Sequence, residues 1–178
     1  MDKKTLRTKY LAFRHELLAK NSKNKDIADH AISLLHDARY IGIYASFNDE
    51  VDTSLIFQTF KDKCCFPKVE DTTMSFYKID DLAQLQVGRY GILEPVLPRE
   101  AIASSLLDVI IIPCIAINKK GYRLGYGKGY YDRYLQGYSG IKIALVYHEL
   151  VIDEDFQEAH DISVDIYVDE TGITKLKK

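Results

Sequence analysis

Four apolar runs constrain this chain more than anything else in it: YIGIYASF at 40–47, DVIIIP at 108–113, IKIALVY at 141–147 and VDIYV at 164–168. Each has strand composition, and none alternates cleanly between apolar and polar residues, so each is expected to be covered on both faces. Segments of helical spacing separate them. The first, expected over 3–20, puts Leu6, Tyr10, Phe13 and Leu17 on one stripe, with Lys3, Arg7 and Arg14 on a second stripe beside it. The second, over 25–37, turns Ile27, Ala31, Leu34 and Leu35 inward. Helices alternating with buried strands predict an α/β three-layer sandwich with a mostly parallel, Rossmann-like central sheet covered by helices on both faces. Two more strands are expected at 64–69 and 73–79. A short helix with Leu55, Ile56 and Phe60 takes Asp52 or Thr53 as its N-cap, and another helical piece falls near 99–106. Gly88, Gly91, Pro95 and Pro98 mark 80–100 as irregular.

The chain has 178 residues and no internal repeat or linker, so one domain over 1–178 is expected. Its formal net charge of -2 supplies no field to recruit nucleic acid or an anionic membrane, so any phosphate site must be local. The longest apolar run, Val109 to Ile117, is interrupted by Pro113 and far shorter than the ~20 residues that cross a bilayer. The charged start MDKKTLRTKY has no apolar signal region behind it, which points to a cytoplasmic protein. Cys64, Cys65 and Cys114 are too few for a disulfide framework and lack zinc spacing, so they read as reduced core thiols.

Residues 121–135, GYRLGYGKGYYDRYL, carry the chemistry. Glycine at 121, 125, 127 and 129 frees the backbone for close approach by another group. Exposed N–H groups in such a loop form an anion-binding concavity, to which Arg123, Lys128 and Arg133 add full charge. The pattern is neither G-x-x-x-x-G-K-[ST] nor G-x-G-x-x-G, since position 130 is tyrosine. Asp132 suits either the dipole of the following helix or a divalent cation on bound phosphates, and Asp161 is the candidate second acid. Glu50, just after a strand, is placed to accept hydrogen bonds from a heterocycle, and Tyr126, Tyr130 and Tyr131 to flank a planar ligand. In a sheet of this kind ligands sit beyond the carboxyl ends of the strands, where 48–53, 114–130 and 148–161 are expected to converge.

The stretch RLGYGKGYYDRYL resembles the signature of the 5-formyltetrahydrofolate cyclo-ligase (5,10-methenyltetrahydrofolate synthetase) family. KKTLR at 3–7, SFNDEVDT at 46–53, FPKV at 66–69, GRYGILEP at 88–95 and HD at 160–161 are similar to further family segments, in the family's order. The chain departs from the pattern at Cys114 and Asn118, where glycine and aspartate are usual, at His148, where glutamine is common, and in lacking the proline usual shortly before the late acid. The resemblance implies an ATP- and Mg2+-dependent cyclisation of 5-formyltetrahydrofolate to 5,10-methenyltetrahydrofolate, with ADP and phosphate released. It further implies that ATP meets Lys3, Lys4, Thr5, Leu6 and Arg7 on the first helix, and Arg123, Leu124, Gly125, Tyr126, Gly127, Lys128, Gly129, Tyr130 and Tyr131 on the loop. Folate would meet Ala45, Glu50, Tyr126, Gly127, Lys128, Gly129 and Tyr130; Asp132 and Asp161 would hold magnesium; Lys128 and Arg123 would be catalytic. A monomer without nucleic-acid or membrane partners is expected. Two other readings stay open at this point: an ATP-dependent ligase or phosphotransferase acting on another carboxamide or carboxylate, and a non-catalytic nucleic-acid binder stacking bases on the tyrosines.

Overall fold

The structure is a computed structural model and describes residues 1–176. Helices α1 (Lys3–Glu16) and α2 (Lys20–Ile32) lead into strand β1 (Tyr40–Gly42), and α3 (Ser54–Thr59) carries the chain to β2 (Cys64–Glu70), which turns back as β3 (Thr73–Lys78). A small hairpin of β4 (Leu85–Val87) and β5 (Leu93–Pro95), then β6 (Ala101–Ile102), precede β7 (Leu107–Ile112). The remainder is β8 (Ala116–Asn118), β9 (Arg123–Leu124), α4 (Tyr130–Leu135), β10 (Ile141–Leu145), β11 (Val151–Ile152), β12 (Ile166–Asp169) and β13 (Gly172–Lys175).

The main sheet has eight strands in the order β13-β12-β10-β7-β1-β2-β3-β6. Its central run from β12 to β2 is parallel, and antiparallel partners close both edges. The parallel centre is where the sequence is most apolar: Ile110, Ile111, Ile112, Ile143, Ala144 and Leu145 are all buried. The chain leaves β1 toward β2 on one side, and β7 later joins β1 on the other, so the strand order reverses between β1 and β7. Such a switch point opens a crevice at the strands' carboxyl ends. Helices pack on both sides of the β2–β3 pair. Phe57 of α3 meets Phe66 edge-on, whereas Tyr134 of α4 packs on Phe76. Phe76 is the cross-strand partner of Pro67, one residue on from Phe66, and successive strand residues face opposite ways. Cys64, Cys65 and Cys114 are free and buried, and burial pushes each thiol up to about 12.

Several expectations need correction. The first helix does not run to 20: α1 ends when Leu17 turns extended, Ala19 takes φ 60, and α2 begins at Lys20. No glycine or proline marks this break, so it has no sequence signature. Phe13, assigned to the apolar stripe, is 45% exposed, while Arg14 is 2% exposed; a polar recess described below draws the arginine inward. Around 99–106 the chain forms strand β6 and a 3-10 turn at Ser104–Leu106, not an α-helix. Residues 80–100 are more ordered than expected, because β4 and β5 pair. Thr53 stands at the α3 N-cap position without capping through its side chain; its hydroxyl donates to Tyr44 O instead, and Asp52 Oδ1 accepts from Ser54 N. A small sheet of β11, β8 and β9 was not anticipated at all.

Candidate active site

The crevice at the β1/β7 switch point is a cleft of about 390 Å³. Its floor comes from the segments that leave those strands: Tyr44, Ala45, Phe47 and Glu50 after β1, and Pro113 after β7. The loop between β9 and α4 forms one wall with every residue from Arg123 to Asp132. The opposite wall is the β2–β3 and β4–β5 region, through Pro67, Val69, Met74, Arg89, Tyr90, Ile92, Leu93 and Glu94. Lys3 and Arg7 reach in from α1, and His160 and Asp161 from the loop before β12.

Helix α1 brings its cations here by spacing alone. Lys3, Arg7, Tyr10 and Arg14 stand at i, i+4, i+7 and i+11, one face at 3.6 residues per turn, and each is tied to a loop beside the cleft. Lys3 Nζ lies 2.6 Å from Asp161 Oδ2, Arg7 Nε donates to Gly125 O at 2.6 Å, Tyr10 donates to Glu154 Oε1, and Arg14 Nη2 donates to the Tyr126 hydroxyl at 2.7 Å. The same spacing sets three of the residues expected to meet ATP apart from the cleft lining. Lys4 and Thr5 are exposed on another face, Leu6 is 1% exposed in the core, and none of the three lines the cleft. Thr5 instead donates its N–H to the N-cap carboxylate of Asp2.

Two glycines of the loop hold left-handed backbone, Gly127 at φ 96 and Gly129 at φ 75. A Cβ on Gly127 would stand 3.2 Å from the Arg7 guanidinium, so the missing side chain is what lets Arg7 lie beneath the loop. Helix α4 has six residues. Arg133 faces away from the cleft, donating to Thr72 O. Arg123 is the reverse: its side chain is only 5% exposed, paired with Asp132 Oδ1 at 2.9 Å, with Nε buried and lacking any hydrogen-bond partner. Arg123 lines the cleft, where a guanidinium suits an anionic ligand oxygen. Lys128 is exposed and lies 5.4 Å from the Tyr90 ring centre, at the far lip.

The two candidate metal carboxylates are neighbours. Asp132 Oδ1 accepts the N–H of Ile162 at 3.1 Å, which sets it beside Asp161. Asp161 also accepts from Glu158 N. Burial works against ionisation of Asp161, but Lys3 and the Glu158 N–H outweigh it and hold the carboxyl below its ordinary value. Among the described residues, no three His, Cys, Asp or Glu side chains cluster into a metal cage. Two hard oxygen donors in one cleft nevertheless fit a magnesium ion that takes its other ligands from phosphate and water.

Glu50 is 8% exposed and accepts the Phe47 N–H at 2.7 Å. Burial pushes its carboxyl up to about 7, although the Phe47 N–H, Arg14 and Tyr126 all pull the other way. Tyr126 and Tyr131 are both raised by burial and by the charge of Glu50. The pocket therefore has an ionic end at Lys3, Arg123, Asp132 and Asp161, and an aromatic end around Glu50. Sequence reasoning missed the β2–β5 wall and its brace, a Lys68–Glu94 ion pair of 2.6 Å with both side chains mostly buried. The signal was there in GRYGILEP, but nothing local said that its glutamate meets a lysine 26 residues earlier.

The departures at 114, 118 and 148 leave the loop in order. Asn118 Oδ1 accepts from Lys120 N and Tyr122 N, while its amide donates to Glu154 O and Gln157, so it closes the β8–β9 turn. Cys114 offers its carbonyl to Arg14. His148 pairs with Asp169 and does not line the cleft; of the segment 148–161 only His160 and Asp161 do.

A family model described as the 5-formyltetrahydrofolate cyclo-ligase family matches residues 1–170. A 5-formyltetrahydrofolate cyclo-ligase of Haemophilus influenzae is 29% identical over 156 residues, 80% of this chain and 83% of that protein. One from Mus musculus is 32% identical over 146 residues, covering 72% of each. Among solved structures, the 5,10-methenyltetrahydrofolate synthetase of Aquifex aeolicus superposes with a TM-score of 0.84 at 33% identity, covering 100% of this chain and 94% of that one. The Mycoplasma pneumoniae 5,10-methenyltetrahydrofolate synthetase gives 0.78 at 25% identity, covering 96% and 99%.

Proposed function

The chain belongs to the 5-formyltetrahydrofolate cyclo-ligase family, and from that premise we propose that its cleft converts 5-formyltetrahydrofolate and ATP to 5,10-methenyltetrahydrofolate, ADP and phosphate. The observation that carries this reading is the convergence of Lys3, Arg7, Arg123 and Lys128 with the buried Glu50 in a single cleft. A formamide oxygen leaves poorly. It is therefore made a phosphate ester by transfer of the γ-phosphoryl group, after which N10 attacks the formyl carbon and phosphate departs with that oxygen. Positioning and charge neutralisation are then the protein's main tasks.

The roles divide along the cleft. Lys3 and Arg7 bind the triphosphate together with the 123–131 loop, and Arg123 and Lys128 stabilise charge on the transferring phosphoryl group. That both residues line the cleft supports this assignment. Asp132 and Asp161 hold magnesium, which when bound neutralises phosphate charge. Both carboxylates are ion-paired to cations assigned to phosphate, so ligand entry has to exchange partners. Glu50 accepts N–H groups of the pterin, with Ala45 beside it and Tyr126, Tyr130 and Tyr131 lining the folate side. We read the chain as one three-layer domain, supported by α3 and α4 packing on opposite faces of the β2–β3 pair. We also read it as a cytoplasmic monomer; no helix among the described residues is long and apolar enough to cross a membrane.

The direct test mixes the protein with 5-formyltetrahydrofolate, ATP and Mg2+ and follows the methenyl chromophore. Its growth, dependent on all three additions, is the expected result. A flat trace from folded protein would refute the assignment.

A further inference from the structure

Arg14 is an unusual residue to bury. It stands in the last turn of α1, is 2% exposed, and makes no ion pair among the described residues. Its hydrogen bonds go to Cys114 O at 3.3 Å and to the Tyr126 hydroxyl at 2.7 Å, and its Nε has no partner. Two neutral acceptors do not repay the desolvation of a guanidinium, which needs a nearby negative charge. The negative charge whose field reaches it is that of Glu50, itself buried on the cleft floor. The Tyr126 hydroxyl accepts from Arg14 and lies in the field of Glu50. The remaining titratable groups that sense Glu50 are Tyr44, Cys114 and Tyr131, each raised by its own burial, so none supplies a second positive charge there.

We propose that Arg14, outside the reach of either substrate, is a positioning residue for the folate end of the cleft, holding Glu50 ionised and Tyr126 in place so that the pterin meets an anionic acceptor. This rests on the reading of Glu50 as that acceptor. Arg14 also explains why α1 buries an arginine where an apolar residue would pack: one helix serves the phosphate end through Lys3 and Arg7 and the folate end through Arg14.

The test is Arg14→Gln, which removes the charge and keeps amide donors for Cys114 O and Tyr126, with Arg14→Lys as the charge-restoring variant. KM for 5-formyltetrahydrofolate and for ATP is measured from pH 6 to pH 9. In the unaltered protein the folate KM should rise as pH falls through the Glu50 titration. In Arg14→Gln that break should move up by about one pH unit or more, the order expected for losing an opposite charge, raising the folate KM about fivefold or more at pH 7 with ATP KM within twofold. Arg14→Lys should return the break to its original position. A purely structural role would lower the melting temperature and disturb both substrates without moving the break, which overturns the proposal. Carbon-13 NMR titration of the Glu50 carboxyl without substrate gives the same answer independently of turnover: an unmoved titration in Arg14→Gln, or in Arg14→Lys compared with a neutral variant, refutes it. Glu50→Gln separates the two layers. If it leaves the folate KM untouched, the Glu50 reading fails and the proposal with it; if it raises the KM while Arg14→Gln does not move the break, only the Arg14 inference fails.

Discussion

Alanine at Gly127 should damage this protein, and alanine at Gly125, two residues earlier, should not. Gly127 sits at φ 96, where a Cβ would be 3.2 Å from both the Cζ and Nη1 of Arg7. Holding an L-residue in left-handed backbone costs about 1–2 kcal/mol. Pushing Arg7 away also loosens its 2.6 Å bond to Gly125 O, worth about 1.5–3 kcal/mol for a charged donor before solvent replaces part of it. A total of about 2–4 kcal/mol corresponds to a melting temperature lower by roughly 4–16 °C for a domain of this size. Gly125 lies outside the left-handed region, and its nearest would-be neighbour is Arg123 Nη1 at an ordinary 3.7 Å. Alanine there should be neutral or add about 0.4–1 kcal/mol by restricting the unfolded chain. Thermal melts of both variants, with nucleotide titrations, read the contrast. Because Arg7 is assigned to the triphosphate, Gly127→Ala should also weaken ATP binding about tenfold or more. Equal melting temperatures and equal ATP affinities for the two variants would refute both the loop geometry and the role of Arg7.

Lys128→Ala should abolish turnover and leave the melting temperature within about 2 °C, since an exposed cation over Tyr90 contributes at most about 1 kcal/mol; substantial remaining turnover would remove Lys128 from the catalytic set. Glu50 carries a stability signature as well. Its folded carboxyl is raised to about 7 from an unfolded value near 4.5, so the folded state binds the proton more tightly. That stabilisation is fully present below about pH 4.5 and is lost as pH rises through 7. The parent should therefore lose up to about 3 kcal/mol from this group between pH 5 and pH 8, and Glu50→Gln should lack that dependence, as denaturant midpoints at the two pH values will show. Glu94→Ala leaves Lys68 buried and unpaired at the base of the β4–β5 hairpin, at a cost of about 3–5 kcal/mol. Limited proteolysis should then cut within 85–96 faster than in the parent, and unchanged cleavage would mean that the ion pair does not brace this wall.

Much of this was written locally. The parallel centre was legible because unalternating apolar runs such as DVIIIP admit few environments other than a sheet covered on both faces. The glycine-rich wall of the cleft was legible because glycines at 127 and 129, with Lys128 between them and Arg123 before, mark a loop whose backbone other groups can approach closely. The limits of those readings are equally particular. Periodicity alone could not choose between Phe13 and Arg14 for the buried face of α1, since the choice depends on an acceptor 100 residues away at Cys114. It could not end α1 at Glu16, because LLAKNSK contains no breaker.

What the sequence determined by itself is the apolar strands of the parallel centre, the glycine-rich loop and the family likeness, all of which depend on near neighbours along the chain. What only the tertiary structure decided is who faces whom. It paired Lys3 with Asp161 and Arg123 with Asp132, set Glu94 against Lys68, turned Lys4 and Thr5 away from the cleft, and buried Arg14 against Cys114 and Tyr126. Those outcomes are set by strand order and by the angle at which α1 crosses the loops. Both arise from burying apolar surface shared between segments far apart in the chain, information that no local pattern holds.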